Sequence, residues 1–360
     1  IYRSLTNNTT IMKKILFPHP LAKKGFFYSK SSRDDVNVPF VNLREAFEEK
    51  GYEFHTEVTG DLDSYEFIFF CNIFNDSFFA RLLSRQMWRK DYEIFKKAIK
   101  LGLGKKIVTL LYEPELILPC NFKLSNHRDI GTIFTWKKEL VDNKKYFHFY
   151  HPFGGKVGLK KNIDFDKKKL VMSISGNKFS SNKGDLYSYR RNTINFLNKE
   201  FANDFDLYGV GWSDNGLLKN IKRFIRHRQF NFTKYQTYRG SPDEKSKVIS
   251  GYKYCICYEN VRYEDFITEK IFDIFINESV PVYYGAKHIS EYVPKNTFID
   301  REDFNSDSEL MSYLNKIDKN QYMEYIYNIN IFLDSEEFRK FGPKYFVENI
   351  IKTLGLANND

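Results

Sequence analysis

The residues best suited to chemistry stand in one run, Tyr252 to Gly285, reading YKYCICYENVRYEDFITEKIFDIFINESVPVYYG. A buried strand ends on Glu259 and Asn260, so two polar side chains emerge at its carboxyl end. After a short polar loop, Thr268 stands where an N-cap belongs, and Glu269 and Lys270 open a helix. Lys270 is the anomaly. The first turn is the positive pole of the helix dipole, so a lysine there costs roughly a few tenths of a kcal/mol unless an anion lies nearby. Helix amides plus a lysine make a diphosphate site. An unremarkable surface lysine is the competing reading, with equal weight on physics alone.

These residues need a scaffold of alternating strands and helices, and the sequence supplies one. Ile15–Phe17, Glu66–Cys71 and Lys106–Leu111 read as strands. Val41–Lys50 and Asp91–Leu101 read as helices that stop at Gly51 and Gly102. A second set follows: strands at Leu170–Ser175, Asp206–Tyr208, Tyr252–Tyr258 and Val280–Tyr284, helices at Tyr187–Lys199 and Glu269–Asn277, then three helical stretches from Ser308 to the end. Such alternation predicts α/β units with parallel sheets, their ligands beyond the carboxyl ends of the strands. With 360 residues, two domains facing across a cleft are expected. The expected boundaries are a tag or tail at 1–11, a first domain at 12–160, a second at 161–334 and a helical tail at 335–360.

The composition narrows the partners. The net charge is +10, so the chain meets something acidic: a phosphorylated substrate, an anionic membrane or a nucleic acid. No run of about 18 apolar residues is present, so no spanning helix is expected, and no signal peptide is visible. The four cysteines form no C-x-x-C pair, which argues for buried free thiols in a reducing cytosol rather than a zinc site. Abundant Lys, Asn, Ile and Phe point to an AT-rich bacterial genome.

The run Y-K-Y-x-I-x-Y-E-N-x(5)-F-I-T-E-K followed by V-P-V-x-x-G resembles the signature of the α-1,3/4-fucosyltransferases, glycosyltransferase family 10. The similarity extends more loosely from about Leu110 to about Asp334. The resemblance implies a GT-B-like fold of two Rossmann-like domains and transfer of L-fucose, with inversion, from GDP-fucose to a hydroxyl (O3 of a GlcNAc or Glc residue) of an oligosaccharide or glycolipid. In that family the Glu of T-E-K contacts the fucose and the Lys the phosphates, which implies Glu269 and Lys270 here. Asn260 matches the Asn of E-N, and Phe266 stands where the family usually has a Tyr, so that hydroxyl contact is absent. A family arginine paired with the diphosphate falls on Arg191, with Arg190 as fallback; guanidinium suits phosphate because it binds bidentately. Ser175 matches a strand-end serine. The family's E-S-P-like motif falls on Glu113-Pro114-Glu115, which implies Glu113 as general base and leaves Glu115 as the alternative. Cations at the leaving group imply that no metal is required.

Four other readings remain on the sequence. Asp61-Leu62-Asp63 and Asp204-Phe205-Asp206 fit the D-x-D string of metal-dependent transferases, although that string is short and common. Glu259 and Glu269 could pair as glycosidase carboxylates. A non-catalytic nucleic-acid-binding protein, or a transferase of another GDP-activated deoxy sugar, is also open. Leu218–Arg239 carries seven Lys or Arg and no acid, with aromatic residues interleaved. It reads as a solvated helix face plus loop, as a peripheral contact with an anionic membrane or glycolipid, or, last, as a nucleic-acid surface. The enzyme reading expects no nucleic acid, and a cytoplasmic location at the inner face of a bacterial membrane.

Overall fold

A computed structural model describes residues 12–22, 25–29, 35–73, 89–158, 164–180, 184–213 and 216–357. The expected tail at 1–11 lies outside the described residues. The chain divides into two compact units: Ile1–Lys30 with Phe40–Thr135 and Glu139–Phe149, and Ser31–Pro39 with Trp136–Lys138 and Tyr150–Asp360.

The first unit runs β1 (Lys13–Leu16), α1 (Val38–Glu49), β2 (Tyr52–His55), β3 (Tyr65–Cys71), α2 (Arg89–Lys100), β4 (Ile107–Leu111), β5 (Thr132–Thr135) and β6 (Tyr146–His148). Its strands form one parallel sheet in the order β2-β1-β3-β4-β5-β6. Every residue of β4 is buried, as a strand covered on both faces requires. The helices stop where expected, since Gly51 and Gly102 take positive φ at the two ends.

The second unit runs β7 (Lys169–Ile174), α3 (Tyr187–Glu200), β8 (Phe205–Tyr208), α4 (Leu217–His227), α5 (Ser246–Ile249), β9 (Tyr252–Tyr258), α6 (Glu269–Phe275), β10 (Val280–Tyr284), β11 (Ile299–Asp300), α7 (Asp307–Lys316), α8 (Lys319–Leu333), α9 (Glu336–Arg339) and α10 (Pro343–Thr353). Its sheet is also parallel, in the order β11-β10-β9-β7-β8. Four helical stretches close the chain rather than three. Ser335 caps the short α9 by accepting the Phe338 amide, and Pro343 opens α10.

Much of the aromatic load is core. Phe17 stacks on Phe69 at 5.2 Å in the first unit, and Phe272 meets Phe341 at 4.6 Å in the second. In the second unit α6 and the C-terminal helices thereby pack together, which fixes α6 on β9 and β10.

Candidate active site

The chain leaves β7 to build β8 on one side, then returns to build β9 and β10 on the other. Where the winding reverses, connections depart to opposite faces and leave a crevice past the strand ends. A hollow of about 230 Å³ lies there, lined by Ser175 beyond β7, Asn260 beyond β9, Arg190 from α3, and Glu269 and Lys270 from α6. Its lining carries four cations, Lys178, Arg190, Lys245 and Lys270, against two carboxylates, Glu269 and Asp273. The hollow therefore suits an anion.

Glu259 organises it. Its side chain has no exposed surface. One carboxylate oxygen accepts the Thr268 amide at 3.0 Å, and both accept the Thr268 hydroxyl at 2.9 Å. The Lys270 ammonium donates to the same carboxylate at 2.7 Å and to the Thr268 hydroxyl at 2.7 Å. Thr268 holds the N-cap position, yet its side chain serves Glu259 and makes no capping bond. Gly285 allows this packing, because a Cβ there would lie 2.6 Å from Glu259 Cγ. Burial works against the Lys270 charge, but Glu259 and Glu269 outweigh it and hold the pKa above its ordinary value. Desolvation likewise pushes Glu269 up, but Lys270 and Lys245 outweigh it and keep its carboxyl below the ordinary value. That side chain is 42% exposed, so its acid reaches the hollow from solvent. The helix behind them has only seven residues, so its dipole is small and the charge on the side chains dominates.

Of the two arginines, Arg190 reaches the hollow. It is buried, and its Nη2 donates to the carbonyls of Tyr258 at 2.5 Å and Glu259 at 2.8 Å. Its Nε is buried with no hydrogen-bond partner, and it forms no ion pair among the described residues. Burial lowers its pKa. Arg191 turns elsewhere: it donates to the Lys178 carbonyl, to Gln229 Oε1 at 2.7 Å and to Ser188 at 3.2 Å, with its guanidinium 3.9 Å from the Phe179 ring. Ser175 brings a buried hydroxyl without a partner. Phe266 does not line the hollow; it packs against Trp136 at 5.0 Å and His151 at 5.2 Å.

Glu113 and Glu115 belong to the first unit, past β4. Asn72 Oδ1 accepts the Glu113 amide at 2.8 Å, and Asn121 Nδ2 donates to the Glu113 carbonyl at 2.7 Å. Asn121 also accepts the Ile73 amide at 2.7 Å, and Asn72 takes a positive φ of 72°. Two buried asparagines thus fix the turn that presents Glu113, which is exposed, while Glu115 is half-buried. No sequence pattern singles out Asn72, Asn121 or the anchoring role of Glu259, since each acts on a partner distant in the chain. Of the D-x-D aspartates, Asp206 is held by Lys169 at 2.7 Å, Arg239 at 2.5 Å and the Tyr252 hydroxyl at 2.7 Å. It serves as an ion-pair centre at the strand start.

Two parallel-sheet α/β units are the GT-B glycosyltransferase fold, and solved structures agree. An α1,3-fucosyltransferase with GDP-fucose superposes with TM-score 0.55 at 14% identity, covering 100% of this chain and 95% of that one. An α-glucosyltransferase in complex with UDP-glucose and DNA superposes with TM-score 0.53 at 10% identity, covering 95% and 99%. The sequence profile of "Glycosyltransferase family 10 (fucosyltransferase) C-term" matches residues 166–329, so the chain carries a domain of that family. The 4-galactosyl-N-acetylglucosaminide 3-alpha-L-fucosyltransferase 9 of Mus musculus is 43% identical over 82 residues, 22% of this chain and 23% of that protein. The alpha-(1,4)-fucosyltransferase of Arabidopsis thaliana is 37% identical over 80 residues, 22% and 20%. The chain thus matches less than a quarter of the length of either relative.

Proposed function

We propose that the protein is an α-1,3-fucosyltransferase that moves L-fucose from GDP-fucose to a hydroxyl, O3 of a GlcNAc or Glc residue, of an oligosaccharide or glycolipid. The observation that carries this reading is a buried guanidinium, Arg190, that makes no ion pair among the described residues and shares one hollow with Lys270. A dianionic leaving group supplies the charge those two cations match.

In the reaction the acceptor oxygen attacks the anomeric carbon of fucose from the face opposite the nucleotide, so the configuration inverts. The acceptor proton passes to the Glu113 carboxylate as general base, with Glu115 as the alternative. The bond from the anomeric carbon to the β-phosphate oxygen breaks, and GDP leaves with its charge met by Lys270 and Arg190. Glu269, ionised beside Lys270, orients the sugar and favours positive charge developing on the ring. Ser175 and Asn260 hold the phosphates from the two strand ends. Support for Arg190 over Arg191 is that Arg191 spends its guanidinium on Lys178, Ser188 and Gln229. Four cations around the hollow take the place of a metal ion, so turnover should persist in excess chelator. The setting is cytoplasmic, at the inner face of a bacterial membrane.

A donor screen tests the reading: thermal shift with GDP, GDP-fucose, GDP-mannose and UDP-sugars, followed by product analysis. Stabilisation by GDP and GDP-fucose with transfer of fucose is expected. A shift by UDP alone, or none, would remove it.

A further inference from the structure

Helix α4 is built inside out. An ordinary surface helix turns its apolar stripe to the core. Here Asn220 is fully buried and ties α4 to the following loop, exchanging bonds with the Asn231 carbonyl at 3.0 Å and amide at 2.6 Å. Arg223 joins it, donating to Asn220 Oδ1 at 2.9 Å with its guanidinium 4.1 Å from the Phe179 ring. The polar side therefore grips the protein, and Leu218, Ile221, Phe224 and Ile225 point outward at helical spacing; Leu218 is 77% and Ile225 69% exposed. The loop after α4 extends this surface. Phe224 stacks on Phe230 at 4.5 Å, and Phe230 on Phe232 at 5.8 Å, three rings in a row open to solvent. Lys219, Lys222 and Arg228 are exposed on the same helix and its C-cap, and no acid occurs between Leu217 and Arg239.

We infer that α4 and the Phe230–Phe232 loop form a membrane-docking surface that seats the protein on an anionic lipid bilayer. A patch this apolar is covered by an apolar partner in its working state. Aliphatic side chains want hydrocarbon, not base stacking, and this separates a bilayer from single-stranded nucleic acid. The uniform positive charge matches anionic headgroups, each Lys or Arg near such a surface adding to binding. On a bilayer, lysines beside an apolar stripe bury their stems along it and keep their ammonium groups at the headgroup phosphates. Apolar insertion with a basic rim is the arrangement of an interfacial helix. The surface deepens the transferase reading, on which only its purpose rests: it brings a membrane-borne acceptor to the enzyme. It is tied to the wall of the hollow, because Arg191 joins Gln229, just after α4, to the carbonyl of Lys178, which lines the hollow.

The test is flotation of the full chain with vesicles of phosphatidylcholine alone or with roughly one lipid in three replaced by phosphatidylglycerol. Binding to the anionic vesicles, weakened by salt and absent on phosphatidylcholine, is expected. Ile225→Ser with Phe232→Ser, and separately Lys219→Glu with Lys222→Glu, should each lower partitioning about tenfold. Both double variants should keep the thermal midpoint and the GDP response of the parent. No binding to anionic vesicles, or binding that both variants retain, overturns the inference. So does capture of a single-stranded oligonucleotide without vesicle binding, or a dimer that the substitutions dissolve. Because flotation needs no donor, its failure leaves the GDP-fucose reading intact, and loss of transfer activity leaves the docking surface intact.

Discussion

The ammonium of Lys270 lies 2.7 Å from a carboxylate, that of Glu259, which has no exposed surface at all. The acid sits at the end of β9 and the cation in the first turn of α6, so one ion pair joins the strand end to the helix that follows it. Its geometry holds Lys270 at the wall of the hollow, with the side chain 26% exposed.

Lys270→Ala should act twice. It removes a cation from the hollow, and it leaves Glu259 buried without its partner, which costs about 3–5 kcal/mol of stability. The GDP-induced thermal shift should vanish, and the denaturation midpoint should fall. Lys270→Arg keeps the pairing and should recover most stability with less GDP affinity. Calorimetric titration with GDP beside urea unfolding separates the two effects.

Arg190 and Arg191 are adjacent, so a lysine exchange at each makes a matched pair. Arg190→Lys should weaken GDP by about tenfold or more, since a lysine cannot reproduce a planar guanidinium bridging two carbonyls and an anion. Arg191→Lys should leave GDP affinity within about threefold, because its partners are Gln229, Ser188 and the Lys178 carbonyl. Equal losses would return the phosphate role to Arg191.

Glu113→Gln should keep GDP-fucose affinity and lose about two to four decades of turnover. Glu115→Gln should retain turnover within about tenfold under the same reading. The reverse pattern assigns the base to Glu115. Donor affinity by titration and turnover with a soluble acceptor are the two measurements.

His19 sets a pH window in the first unit. Burial lowers its pKa to about 4, against an unfolded value near 6.5. Its ring stacks on Phe26 at 4.3 Å, and its Nδ1 accepts the Leu21 amide at 3.2 Å. The unfolded chain therefore binds the extra proton first. The contribution of neutral His19 is fully present above about pH 6.5 and is lost as pH falls toward 4, a change of about 3 kcal/mol. Urea midpoints across that window should decline in the parent and decline less in His19→Phe.

Long elements were legible because their signal is local. β9 and β10 run over the same residues that apolar content alone marks out, and Gly102 stops α2 because it takes positive φ. Four short strands were not legible: β2, β5, β6 and β11 run for four residues or fewer, so a period barely registers, whereas β1 and β8, also four residues long, were read in part. The helix at Leu217–His227 was within the reading of a solvated helix face plus loop, but the direction of its apolar stripe was not legible. Its apolar stripe faces solvent, so the basic residues dominated the reading of that stretch.

The sequence by itself determined two parallel α/β sheets and set Glu269 and Lys270 at the mouth of a helix beyond β9. Those are contiguous features, fixed by apolar runs, glycine stops and the spacing of one motif. Only the tertiary structure decided which arginine of a neighbouring, buried pair lines the hollow, that Glu259 grips Lys270, and that Asn72 and Asn121 clamp the Glu113 turn. Each of those choices pairs groups many residues apart, brought together by strand order and by the need to satisfy buried polar atoms. A one-residue step rotates a helical side chain by about 100°, so adjacent arginines with identical chemistry face different surroundings.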